Sequence, residues 1–410
     1  MASETRKTLT AQVVMLACAM GSGCGGAPSE SEAGLQLASS AQALGSTETL
    51  KLIKTPADLQ AMTVTGNYAL GNDIDMSGKT WTMIGGPFSP FRGTLDGKNF
   101  VIKNLKISSA GSFYVGLFSA VGGAIIKNLG LTGVDITGGA FTGALAGLVS
   151  GSDITSVWVE GGTVKVSGLS PGQAVGMVIG QVSGLSHIQR SYAIGTVSGT
   201  TSSIGGFVGE LQGNCDGPSF PDKGMLAEIY TDVTVSPDTS GSGNVLAGGL
   251  VGYVRGGWIT DISTVGNVTG RNYAGGVIGW IDSPVECKSG FEDLLSRGVM
   301  TISNIPNRAG AIGGISSQYT ARCSSAFWNT TTDGGTAPAL PGCQQNGYSD
   351  TTLKAAHPAP NPVVSPFTHA MEGDWGFTDS GAGLPQVWQL NSSSEHITLV
   401  NIPNPSKQKR

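Results

Sequence analysis

Ala247-Gly248-Gly249-Leu250-Val251-Gly252-Tyr253 decides the fold, because variants of it return along the chain. Gly116-Leu117-Phe118, Gly147-Leu148-Val149, Met177-Val178-Ile179-Gly180, Gly206-Phe207-Val208-Gly209 and Gly276-Val277-Ile278-Gly279 repeat the phrase, and Ala311-Ile312-Gly313-Gly314 is a worn copy. Each copy is followed by an Ile that meets a Gly seven positions later: Ile126/Gly133, Ile154/Gly161, Ile188/Gly195 and Ile259/Gly266, with Ile229/Ser236 and Phe291/Gly298 as near misses. A unit of about thirty residues cannot bury its own apolar face and must stack on its neighbours. The runs between glycines are short and β-branched, and they alternate as in Thr163-Val164-Lys165-Val166, which fits strands and not a helical period. Glycines at the ends of the runs are expected to supply the corners through left-handed backbone conformations. The expected fold is all-β, a parallel β-helix with one turn per repeat.

The phrase resembles the GLUG repeat of bacterial surface proteins, over about residues 49–388. Tyr68-Ala69-Leu70-Gly71-Asn72-Asp73-Ile74-Asp75, Phe91-Arg92-Gly93-Thr94-Leu95-Asp96-Gly97 and Ile102-Lys103-Asn104-Leu105 are similar to that family's opening segment. Phe327-Trp328-Asn329-Thr330, Trp375-Gly376-Phe377 and Leu384-Pro385-Gln386-Val387-Trp388 are similar to its closing segment. The resemblance implies a right-handed coil on the cell surface, in adhesin-like proteins and sometimes appended to proteases. It names no ligand.

One elongated solenoid uses a chain of 410 residues as well as several globular domains would. The 64 glycines return at fixed offsets and so mark ordered corners. With 12% charged residues and a net charge of −5 there is no basic footprint for nucleic acid. Residues 1–23 read as an export signal: Arg6 and Lys7, an apolar run over 9–20, then Gly21-Ser22-Gly23 before Cys24. The apolar run falls short of the ~20 residues a membrane span needs. The signal resembles that of a lipoprotein, which would make Cys24 the acylated N-terminus and tie the protein to a membrane through its lipid. Gly25 after it, in place of Asp, points by the same resemblance to the outer membrane. Residues 24–47 are small and polar and read as a flexible tether.

Residues 48–107 are expected to form an N-terminal cap and opening turns. The cap begins with a short helix that Thr55 starts as N-cap, with Pro56 at the first helical position and Asp58 in the first turn, running to about Met62. The repeat coil spans 108–332. Residues 333–410, with a proline-rich stretch at 358–366, should form an irregular C-terminal cap and tail. Two intervals between phrase and Ile column are long, and each carries a cysteine, Cys215 or Cys287. Both insertions leave the coil at the same corner, which predicts Cys215–Cys287 and Cys323–Cys343 disulfides in an exported chain, with Cys287–Cys323 as the competing pairing.

Asp73-Ile74-Asp75-Met76-Ser77-Gly78 has the opening spacing of a calcium loop, but Ile84 stands where the bidentate Glu belongs, so the carboxylates are read as turn caps and no metal is expected. Asp232 and Asp261, with Glu228 nearby, are placed close to one column of neighbouring repeats and read as a solvated ladder. A carbohydrate-active enzyme using such carboxylates is the alternative. His187, His357, His369 and His396 show no H-E-x-x-H spacing, so the protease activity of some GLUG proteins is not carried over, and no Ser lies in G-x-S-x-G. No catalytic residue and no cofactor is assigned. Tyr253, Trp258, Tyr273 and Trp280, on adjacent repeats, either form a binding patch for sugars or another protein or pack under the two long corner loops. The expectation is a non-catalytic surface lipoprotein, a rigid scaffold presenting corner loops to a protein or polysaccharide ligand.

Overall fold

The computed structural model of the chain describes residues 50–167, 173–213, 225–238, 244–271, 273–282, 289–296 and 298–302, together with short strands at 309–310, 313–315, 322–323, 325–329, 344–348, 388–391 and 396–399. The signal segment, Cys24, the tether, Cys215, Cys287, Cys343, His357 and His369 lie outside the described residues.

Each coil lays down three strands in order, as in Ala174–Gly176, Ile179–Ser183 and His187–Gly199. The short first strands stack into one seven-stranded sheet, the second strands into another, and the long third strands join a 17-stranded sheet that also takes in the opening turns. Neighbouring coils pair in parallel throughout. Successive rungs are therefore ~4.8 Å apart, and the structure is a parallel β-solenoid.

The core is a set of columns. Leu95, Ile126, Ile154, Ile188, Leu226, Ile259 and Phe291 stand in register and are all buried. The Ile landmark is thus an inward column, with one correction: in the fourth repeat its occupant is Leu226, not Ile229. Ile229 belongs to the next inward column, beside Ser191 and Ile262. The position seven residues past Leu226 is the buried Val233, so this coil has no glycine there. Cys323 occupies the same column by backbone register, opposite Phe291.

The corners also differ from expectation. Gly123, Gly151, Gly184 and Gly256 do take left-handed backbones, with φ of 54 to 76°. A second corner, within the long strands, is made by Asn128, Ser156, Arg190, Glu228 and Asp261, all with φ of 52 to 56°. Such side chains cost ~1–2 kcal/mol in this region, and cross-rung pairs such as the Arg190–Glu228 ion pair at 2.8 Å help to hold them. The phrase glycines do something else. A Cβ on Gly206 or Gly249 would overlap the carbonyl oxygen of the next coil's Gly249 or Gly276, and one on Gly252 would lie 2.5 Å from Ile204 N. These glycines let the corner between the first and second strands stack backbone on backbone. Inside the coil, Thr231 and Thr264 donate from Oγ1 to the carbonyls of Gly249 (2.9 Å) and Gly276 (2.8 Å), tying the phrase to the long sheet.

At the N-terminal end the helix Pro56–Gln60 forms with the expected Thr55 N-cap and stops short of Met62, and the cap closes into a capping box that was not foreseen: Asp58 N donates to Thr55 Oγ1 (3.1 Å) and Thr55 N to Asp58 Oδ2 (3.0 Å). Leu59 is buried under it, so the helix covers core residues. Regular structure also occurs where the C-terminal sequence gave no period. Gln344–Tyr348 pairs with Ser325–Asn329 on the last coil, and Trp388–Asn391 forms an antiparallel hairpin with His396–Leu399.

Candidate functional site: the outer face of the second sheet

The strand after each phrase alternates strictly. Val149, Val182, Leu211, Val254 and Ile281 point into the core, so the residues on either side point out. One outward column runs Leu148, Gln181, Glu210, Tyr253, Trp280. The next, two residues on, runs Ser150, Ser183, Gln212, Arg255 and then Asp282, whose N–H donates to the Val254 carbonyl (2.9 Å). Both are half-buried or exposed.

Three of the four aromatics singled out in the sequence meet here. Tyr253 and Trp280 are register partners, and Tyr273, from the first sheet, meets the Trp280 ring edge-on with centroids 4.3 Å apart. Trp258 is elsewhere: it lies on the long sheet between Met225 and Gly290, where its ring fills the space a Cβ at 290 would need. The polar groups around the aromatics engage one another. Tyr253 Oη donates to Asp282 Oδ2 at 3.1 Å, and Gln212 Nε2 donates to Glu210 Oε1. Burial pushes the Glu210 carboxyl upward, opposed by its bonds to Gln212 and Gln181. Burial and the Asp282 charge push the Tyr253 phenol well above its ordinary range, so it stays a donor at neutral pH. The face thus holds aromatic surface, two carboxylates, two amides and one guanidinium, which suits stacking and hydrogen bonding to a polyhydroxylated or peptide ligand.

Sequence reasoning missed Glu210, Gln212, Arg255 and Asp282, although they follow the phrase at alternate positions. The two long insertions leave just past this face, after Gly213 and after Asp282, while the coil between them turns directly through Gly256 and Gly257. A second aromatic group also went unforeseen: Tyr114 stacks on Phe141 (5.4 Å, 17°) beside exposed Phe113.

The other candidate groups fall apart or find structural roles. Asp232 and Asp261 do not share a column: Asp261 stacks on Glu228 at the left-handed corner, while Asp232 stacks on Ile194. Asp73 Oδ1 accepts from Val101 N and its Oδ2 pairs with Lys103 Nζ at 2.7 Å. Asp75 Oδ1 accepts from Ser77 N, Ser77 Oγ and Asn104 Nδ2, which lowers its carboxyl to about 2. Both carboxylates act as caps. His187 pairs across one rung with Asp153 at 3.2 Å.

No protein-family model matches the chain. A stretch of 183 residues is 32% identical to Halomucin from Haloquadratum walsbyi, covering 42% of this chain and 2% of that protein's length. Among solved structures, a proposed immunoglobulin A1 protease from Bacteroides ovatus matches with a TM-score of 0.53 at 19% identity, over 87% of this chain and 94% of that one. An IgA1 protease matches with a TM-score of 0.51 at 22% identity, over 77% of this chain and 25% of that one. At these identities the likeness is one of fold.

Proposed function

We propose that the protein is a non-catalytic β-helical scaffold of the cell surface, exported by residues 1–23, anchored through a lipid on Cys24, with GLUG-type repeats. Its ligand face is the outer side of the second sheet, where Tyr253 and Trp280, the latter backed by the buried Tyr273, stand among Glu210, Gln212, Arg255 and Asp282. That convergence of aromatic and hydrogen-bonding side chains is the observation that carries the reading, because the parallel register of the coils fixes them on adjacent rungs. The partner is a polysaccharide or another surface protein. An extracellular place agrees with the fold shared with the two protease-named structures and with the partial match to Halomucin.

The test is binding of the intact protein to envelope polysaccharides and to whole cells, with Tyr253→Ala and Trp280→Ala as probes. Each variant is expected to lose about 10-fold in affinity, the scale of an interface aromatic. Unchanged binding by both would remove the face from the proposal. Labelling with a radioactive fatty acid, lost in Cys24→Ser, tests the anchor. The carbohydrate-active alternative rests on Glu210 and Asp282, the two carboxylates of this face, of which Glu210 is the one that burial shifts toward holding a proton. Cleavage of a bound polysaccharide, abolished in Glu210→Gln, would select that reading.

A further inference from the structure

The middle stretch of the long strands carries a face with no place in the proposed function. Gly130, Trp158, Tyr192, Tyr230, Ser263 and Leu295 stand in one register column. Their neighbours Val157 and Val159 belong to the core inside the coil, so strand alternation puts this column on the outside. Yet Trp158, Tyr192 and Tyr230 are 0% exposed, and Ser263 and Leu295 only 1%. None of these residues is part of the internal core cluster. Trp158 covers Gly130 and stacks on Tyr192 (6.3 Å, 15°), but side chains along one column cannot shield one another from above. An outer sheet face closed to water over five rungs has a cover.

The C-terminal hairpin comes against the strand in the middle of this face. Its strand His396–Leu399 lies against Met225–Pro237, the strand that carries Tyr230. The hairpin register pairs Trp388 with Leu399 and Leu390 with Ile397, and Gln389 with Thr398 and Asn391 with His396. Paired residues share a face and alternate along each strand, so one face collects Trp388, Leu390, Ile397 and Leu399, and the other Gln389, Asn391, His396 and Thr398. Such a hairpin is marginal in water by itself and needs an apolar surface beneath it.

We propose that the outer aromatic column of the long sheet is a docking site whose occupant is this chain's own C-terminal hairpin. The hairpin clamps the chain end to the middle of the coil and keeps a large apolar face out of solvent. The face becomes available to another apolar β-surface only when this occupant leaves.

Hydrogen exchange on the full-length protein tests the proposal. In the wild type the amides of 388–391 and 396–399 are protected. In Tyr230→Ser, which installs the residue the column already holds at 263, that protection is expected to fall at least 10-fold while the amides of 187–199 keep theirs. As a second route that leaves the coil untouched, Ile397→Asp with Leu399→Asp is expected to free the hairpin and raise binding of an apolar dye several-fold, with the circular dichroism of the coil retained. Hairpin protection unchanged in Tyr230→Ser, or no dye uptake in the double variant, overturns the proposal. Protection that grows with protein concentration alongside a dimer in sedimentation also overturns it, by giving the face to a second copy's hairpin. Loss of ligand binding at Tyr253 moves none of these readouts.

Discussion

Gly249→Ala separates the two reasons a solenoid has for keeping glycine at a corner. Gly249 does not take a left-handed backbone; instead an added Cβ would overlap the carbonyl oxygen of Gly276 and lie 3.3 Å from Thr264 Cβ. The obstruction is backbone of the next coil, held by Leu250 N to Val277 O at 2.8 Å and by the Thr264 hydroxyl on Gly276 O. Relief requires the coils to part locally, so the cost belongs at the top of the overpacking range, about 3 kcal/mol. Gly151→Ala is the control. There φ is 54° and nothing lies within 4 Å of the added Cβ, so only the left-handed penalty of ~1–2 kcal/mol applies. Reduced entropy of the unfolded chain offsets about 0.4–1 kcal/mol of it. At roughly 2 °C per kcal/mol for a large domain, the thermal midpoint should fall by about 6 °C for Gly249→Ala and by about 3 °C or less for Gly151→Ala. Scanning calorimetry measures both. Equal shifts, or a neutral Gly249→Ala, would refute the claim that the phrase exists for close approach.

Thr264→Val should lower stability by about 1–2 kcal/mol, read as a shift of the urea midpoint, because the Gly276 carbonyl loses a buried donor. Glu210 has a folded carboxyl above its ordinary 4.5, so the folded state binds the proton more tightly than the unfolded one. Stability therefore falls as pH rises from 4.5 through the folded value, and Glu210→Gln should raise the urea midpoint at pH 8 but match the wild type at pH 4. Asp75 titrates at about 2 in the folded protein, below its ordinary 3.8, so its contribution is present above 3.8 and lost as pH falls through 2. Asp75→Asn should flatten the acid limb of proteolytic resistance at the opening turns, and an unchanged limb would show that the three donors to its Oδ1 do not matter. Tyr253→Ala and Trp280→Ala should each weaken ligand binding about 10-fold, measured by calorimetric titration.

Much of the fold was legible because a repeat that cannot bury its own face has few solutions. The phrase, the strand alternation and the capped helix at Thr55 are local signals, and each appears where the sequence put it. What the phrase glycines are for was not legible: a φ requirement and a close-approach requirement select the same residue, and only the stacked coils distinguish them. Leu226 could not be told from Ile229, since both are apolar and the insertion before them hides the register, which pairing with His187–Gly199 and Gly257–Thr264 fixes. The corner at Asn128, Ser156, Arg190, Glu228 and Asp261 has no shared residue type to betray it, because a backbone geometry imposed by neighbouring coils overrides side-chain preference there. The candidate face was half visible. Its aromatics stood out by type, while Glu210, Gln212, Arg255 and Asp282 gained meaning only when register set them on adjacent rungs. The sequence by itself determined that the chain must coil, since period and apolar content are written locally; which side chains meet across coils was decided by register, a property of the stack.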